Sequence, residues 1–366
     1  MDGSAALRGS ADEAFQADWY ARAYPQVRDD IRRGLAKDPA DHYARYGRFR
    51  GYLPNPNAER PRNPAGVRSA FGGLWTDQGN ALDIVEGRLE LGLIDRKLAE
   101  ALRAYIRDGY VVFRNAIPRR ELIRARRALE DAYDGRIRGQ QFNCPELGVE
   151  VGPWDERMKA LPAKALEIHA HSSAIRDAIF SPVISRFLAV IFDRRALATQ
   201  SLGFYRGSGQ NGHQDSAYVT YTLPLQFAAS WIALEDVKAG AGELFYRVGS
   251  QNLGDFLYAG EFKSVREAQR LRPDWDAAEM DAHVNSLRER SDQIGYPEKT
   301  FLAKAGDVLI WASDLVHGGK PISLDRTRKS VVTHYCPRDV APLYMEEGAR
   351  RELHRHKSGN AWTTFL

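Results

Sequence analysis

His213, Gln214 and Asp215 stand together in the chain, His317 follows about a hundred residues on, and Arg328 comes shortly after it. Two imidazoles and one carboxylate can bind a divalent transition metal on one side and leave its other positions open for reactants. A guanidinium nearby offers a planar fork of donors for a carboxylate. In extended chain, alternate side chains point the same way. That spacing predicts that His213 and Asp215 reach one ion while Gln214 turns aside.

Elements from elsewhere must deliver the third donor. Gly306-Asp307 reads as a turn, Val308-Leu309-Ile310-Trp311 as a buried strand that carries the chain to His317, and Gly318, Gly319 and Pro321 as a break. Arg328 to Tyr335 reads as a further strand, with Arg328, Ser330, Val332 and His334 on one face. His334 is thereby placed toward the pocket. His169 and His171 fall in a helix start, where two residues apart do not face one ion, so both are assigned to structure.

The ordered set, from His213-Gln214-Asp215 through Trp231 to Glu235-Asp236, Gly306-Asp307, His317 and Arg328, resembles the phytanoyl-CoA dioxygenase family of Fe(II)/2-oxoglutarate oxygenases. The likeness begins at Asp108-Gly109-Tyr110-Val111-Val112-Phe113, with a helix expected from about Arg119, and covers roughly residues 95 to 340. It implies that His213, Asp215 and His317 bind Fe(II), that Arg328 grips the far carboxylate of 2-oxoglutarate, and that Gln214 and Trp231 lie beside that co-substrate; Ser330, on the strand face of Arg328, is expected there as well. It further implies that O2 oxidises a substrate C–H bond as 2-oxoglutarate becomes succinate. Family members that halogenate lack the carboxylate, so Asp215 points to hydroxylation. One departure is Val248-Gly249-Ser250-Gln251, where the family usually shows Pro-Gly-Ser-His.

The implied fold is mainly β with flanking helices: a double-stranded β-helix, or cupin-like jelly-roll, with a small N-terminal helical unit. Phe15, Trp19, Tyr20 and Tyr24 form a helical aromatic stripe ended by Pro25, and Asp41-His42-Tyr43 a second short helix stopped at Tyr46-Gly47. Pro54, Pro56, Pro61 and Pro64 then punctuate the chain. The expected division is residues 1–60 as a helical module, 61–94 as linker and entry segment, and 95–366 as the catalytic domain. The stripe reads first as packing against the main domain. It also resembles a short module attached to bacterial glycan-assembly proteins, which points to a small-molecule or glycan-precursor substrate.

Composition sets further bounds. The 366 residues, 43% of them hydrophobic, are enough for a large core. A net charge of +4 and a basic cluster balanced by Glu121, Glu130 and Asp131 argue against nucleic acid and for a solvated helix face. No apolar run is long enough to span a membrane, and the start lacks a signal peptide's pattern, so a cytoplasmic place is expected. Cys144 and Cys336 are expected to be idle thiols, as suits a reducing compartment. Asn143, Trp154 and Lys159 are candidates for a lid. Two rival readings are a zinc-containing or non-catalytic jelly-roll that binds a glycan, and a nucleotide-dependent transferase. The second fails because Gly318-Gly319-Lys320 leads into Pro321, where a phosphate loop needs Ser or Thr and a helix.

Overall fold

The computed structural model describes residues 15–24, 26–34, 36–45, 54–55, 68–343 and 352–365. Pro25, Tyr46-Gly47, Pro56, Pro61 and Pro64 lie outside the described residues. Three short helices open the chain: α1 (Ala17–Ala23), α2 (Gln26–Arg32) and α3 (Pro39–Arg45). Tyr20 and Val27 are buried at their centre, packed against Phe15, Trp19, Tyr24, Ile31 and Tyr43. Tyr20 Oη meets His42 Nδ1 at 2.9 Å, and His42 Nε2 meets Asp30 at 3.0 Å. The aromatic stripe of α1 thus packs on residues of α2 and α3.

From Arg68 onward the entry segment joins the main body. Leu74, Val85 and Ile94 share its core, and Trp75 donates its indole N–H to Val190. After α4 (Ala81–Glu90) comes α5 (Arg96–Asp108), which starts where the Asp95 carboxylate accepts from Leu98 N–H at 2.8 Å. It buries Leu98, Ala99, Ala101, Leu102 and Tyr105, one face at helical spacing. Gly109 ends it with φ +81°, and a Cβ there would collide with Gln251. Gln251 Nε2 reaches the carbonyls of Ile106 and Arg107, at 3.3 and 3.1 Å. Where the family usually carries histidine, this chain therefore has a cap for α5.

β1 (Tyr110–Phe113) and α6 (Arg119–Tyr133) stand where the sequence placed them. α6 exposes Arg119, Arg120, Arg124, Arg126 and Arg127 and buries Ala125, Leu129, Ala132 and Tyr133, which makes the basic cluster a solvated face. β2 (Gln141–Cys144), β3 (Val149–Pro153) and β4 (Lys164–Leu166) follow, then α7 (Ile168–His171), α8 (Ser173–Ile179) and α9 (Pro182–Phe192). The stretch read as a lid is tethered: Trp154 Nε1 donates to Tyr133 O at 3.0 Å, and Lys159 pairs with Asp134. Both cysteines are free and buried.

Next come β5 (Ala196–Phe204), β6 (Ala228–Ala233), β7 (Leu244–Arg247), α10 (Val265–Leu271), α11 (Ala278–Ile294), β8 (Glu298–Phe301), β9 (Val308–Ala312), β10 (His317–Gly319) and β11 (Ser330–Pro337). One large sheet runs β1-β9-β6-β11-β5-β4-β2-β3, antiparallel along that path, and a small one runs β10-β7-β8. Val331 and Tyr335 of β11 face the core beneath the helices, while Val332 faces a second core holding Trp231, Leu244, Tyr246, Phe301, Leu309 and Trp311 from both sheets. Two sheets closed over a shared interior, with helices on the outer face, make the jelly-roll. Among the described residues no helix is long and apolar enough to cross a membrane.

His169 is structural. Its Nδ1 lies 2.6 Å from Ser201 Oγ and its Nε2 2.8 Å from the Thr363 carbonyl, so Nε2 carries the proton and Nδ1 accepts. Burial pushes this imidazole from 6.5 down to about 4. Between those values the unfolded chain binds the extra proton, so stability falls as pH drops from about 6.5 toward 4. The loss attributable to His169 approaches about 3 kcal/mol. Urea denaturation at pH 7 and pH 4.5 is expected to show His169→Gln with a smaller drop than the unmodified protein.

Candidate metal centre

His213 and His317 form an antiparallel bridge, each N–H donating to the other's carbonyl at 2.9 and 3.0 Å. This bridge joins the end of the small sheet to the loop after β5 and brings two imidazoles side by side, their centroids 4.5 Å apart. Each Nδ1–H donates to the carbonyl two residues before it: His213 to Asn211 and His317 to Leu315, both at 2.9 Å. Bonds of this kind fix the tautomer and leave Nε2 with its lone pair free for a metal. Gln210 Nε2, 3.3 Å from His213 Nε2, addresses that lone pair as an acceptor.

Asp215 Oδ1 lies 3.6 Å from both Nε2 atoms, and one donor atom from each of the three residues falls within 4.8 Å of the others. The segment is not the strand expected. Gln214 is extended, so its neighbours do face one way, but Asp215 opens a short 3-10 turn, Asp215–Ala217. Gln214 points to the next loop, where its Nε2 donates to Asp314 O at 2.7 Å. Ser216 N–H donates to Ser313 O and its hydroxyl to Asp314, so the two ligand-bearing loops are stitched together.

Burial pushes the His317 imidazole down to about 4, the Asp215 charge acting the other way. Burial also opposes ionisation of Asp215, yet the facing rings of His317, His334 and His213 hold its carboxyl well below the usual range. A neutral imidazole and an ionised carboxylate are the states metal binding needs. The other oxygen of Asp215, Oδ2, accepts from Trp311 Nε1 at 2.8 Å and lies 3.4 Å from His334 Nε2.

Arg328 lies on the interior face expected of it, 2% exposed. One Nη donates to Gly242 O at 2.6 Å, while the buried Nε has no partner. The guanidinium carbon lies 5.7 Å from the ring centres of both Phe204 and Trp231. Burial pulls this group from 12.5 down to about 10, with Glu243 opposing. A buried cation without an ion pair is costly. Two residues on, the Ser330 hydroxyl is fully buried with no partner.

Sequence reasoning thus placed His213, Asp215, His317, Arg328, Trp231 and Ser330 around one interior, with His334 beside them. It missed Trp311 and Phe204 as parts of the site. A tryptophan in a buried strand needs an acceptor for its N–H, and that was the available signal for Trp311.

No curated protein matches the chain. Among solved structures it is similar to the non-heme alpha ketoglutarate dependent epimerase SnoN, in complex with Fe3+, alpha ketoglutarate and nogalamycin RO. There the TM-score is 0.49 and identity 18%, over 69% of this chain and 88% of that one. It is also similar to EctD from S. alaskensis with bound Fe, at TM-score 0.48 and 16% identity, over 67% of this chain and 77% of that one. AviO1 from Streptomyces viridochromogenes Tue57 gives TM-score 0.44 and 20% identity, covering 69% and 98%. The phytanoyl-CoA dioxygenase (PhyH) family matches residues 105–330, from within α5 to the first residue of β11. That span is more than half of the chain, and by it the protein belongs to the phytanoyl-CoA dioxygenase family and is an oxygenase.

Proposed function

We propose that this oxygenase depends on Fe(II) and 2-oxoglutarate and hydroxylates an unactivated C–H bond of a small-molecule or glycan-related substrate. The observation that carries the reading is Arg328, a buried guanidinium with an unpartnered Nε, flanked by the rings of Phe204 and Trp231. His213, Asp215 and His317 would hold the iron. Arg328 would hold the far carboxylate of 2-oxoglutarate, with Ser330 donating its hydroxyl and Trp231 and Phe204 walling the cation from water. When bound, iron, 2-oxoglutarate and O2 supply oxidative decarboxylation to succinate, coupled to oxidation of the substrate. Gln214 contributes indirectly, as the tie between the two ligand loops.

Residues 1–60 are read as a separate module, supported by the closed core of α1 to α3. Its likeness to modules of glycan-assembly proteins is what directs the substrate class. Succinate formation from 2-oxoglutarate with Fe(II), screened across sugar nucleotides, glycan fragments, acyl thioesters and amino acids, tests the whole reading. Substrate-dependent succinate and a product heavier by one oxygen are expected. Tight zinc binding with no succinate in any screen would favour a binding module. A chlorinated product from the unmodified protein would overturn hydroxylation, since Asp215 fills the place a halide would need.

A further inference from the structure

We infer that Trp311 and His334 are positioning residues that hold the outer oxygen of Asp215, so that only Oδ1 is offered to the metal. The inference rests on the metal site proposed above. A carboxylate has two oxygens and about four lone-pair directions, and its terminal torsion is soft. Left free, Asp215 could present either oxygen or chelate through both. Chelation would take up a coordination position that the co-substrates need.

The surroundings of Asp215 treat its two oxygens differently. Oδ1 is equidistant, at 3.6 Å, from the two ligand imidazoles. Oδ2 faces away from them into the interior, where Trp311 Nε1 donates to it at 2.8 Å. Trp311 is 1% exposed, and its ring lies 4.7 Å from that of His317. One side chain of β9 therefore touches two of the three donors. His334 approaches the same oxygen from β11, its buried Nε2 at 3.4 Å, near enough for charge to act but not aligned as a hydrogen bond.

His334 is oriented from behind. Its Nδ1 lies 3.0 Å from Gln200 Oε1 on β5. An amide's oxygen and nitrogen exchange places by a half-turn; with the Gln200 NH2 turned toward the ring, Nδ1 accepts and Nε2 is left to donate toward Asp215. The large sheet thus reaches Asp215 from two strands, β9 and β11, and sets the rotation of a carboxylate carried on a loop.

Anaerobic titration with Co(II) alone, followed by visible absorbance and a thermal melt, separates positioning from packing. Trp311→Phe keeps an aromatic ring in the core and removes the N–H. It is expected to weaken Co(II) binding on the order of 10- to 100-fold and to change the Co(II) spectrum, with the melting temperature held within a few degrees. His334→Leu should shift both in the same direction by less. If Trp311→Phe does not fold, His334→Leu carries the test, since it leaves the indole hydrogen bond in place. Unmodified affinity and spectrum in the folded variants would overturn the role of the pair. Failure of the unmodified protein to bind Co(II) at all would instead overturn the metal site itself, and the inference with it.

Discussion

His317→Ala is expected to abolish 2-oxoglutarate turnover and to lower divalent-metal affinity by more than about a hundredfold, while the jelly-roll stays folded. His317 supplies one of three donor atoms gathered within 4.8 Å. Loss of one partner around a tuned metal already costs about 10- to 100-fold in affinity, and loss of a donor costs more. The fold survives because the residues that close the two sheets, among them Trp231, Leu244, Phe301 and Leu309, still pack on one another, and the bridge to His213 is made by backbone groups that alanine keeps. His213→Ala and Asp215→Ala follow the same argument. Metal content of the purified variants, circular dichroism and succinate assay check it together. Normal 2-oxoglutarate consumption by all three variants would mean that the site lies elsewhere.

Arg328→Ala is expected to weaken 2-oxoglutarate binding on the order of 10- to 150-fold with metal content little changed. A hydrogen bond to a charged group contributes about 1.5 to 3 kcal/mol, and each 1.4 kcal/mol is about tenfold. The unpartnered Nε and the Nη on Gly242 define a fork held between Phe204 and Trp231. Lysine keeps the charge but not the parallel donors, so Arg328→Lys should fall between the unmodified protein and alanine. Arg326, two residues earlier, is exposed and ahead of the strand. Arg326→Ala therefore serves as the control and should bind 2-oxoglutarate normally.

Much of this site was legible because it depends on local pattern. The Gly306-Asp307 turn, the apolar run to Trp311 and the alternation from Arg328 to His334 are short-range signals, and each set its side chains on the face where the structure has them. The metal-ligand loop was less so. His213 and Asp215 do face one ion, but through a bridge to His317 and a 3-10 turn, because Ser216 and Gln214 bond to the loop at 313–314. Contacts of that range leave no periodic trace in sequence. The same holds for Trp311 and Asp215, 96 residues apart, and for the helices α10 and α11 inserted between β7 and β8. The aromatic stripe of α1 was recognised, but which surface it covers depended on His42 and Val27 arriving from two other helices.

The interior around His213, Asp215, His317 and Arg328 is expected to bind Fe(II) and 2-oxoglutarate together. Adding 2-oxoglutarate to the Fe(II)-loaded protein under anaerobic conditions, and following the visible charge-transfer absorbance of an iron-bound 2-oxo acid, tests it most directly. A band is expected that saturates at one 2-oxoglutarate per iron, is absent in Asp215→Ala, and in Arg328→Ala requires at least about tenfold more 2-oxoglutarate. An iron-loaded, folded protein that gives no band at any 2-oxoglutarate concentration would contradict it.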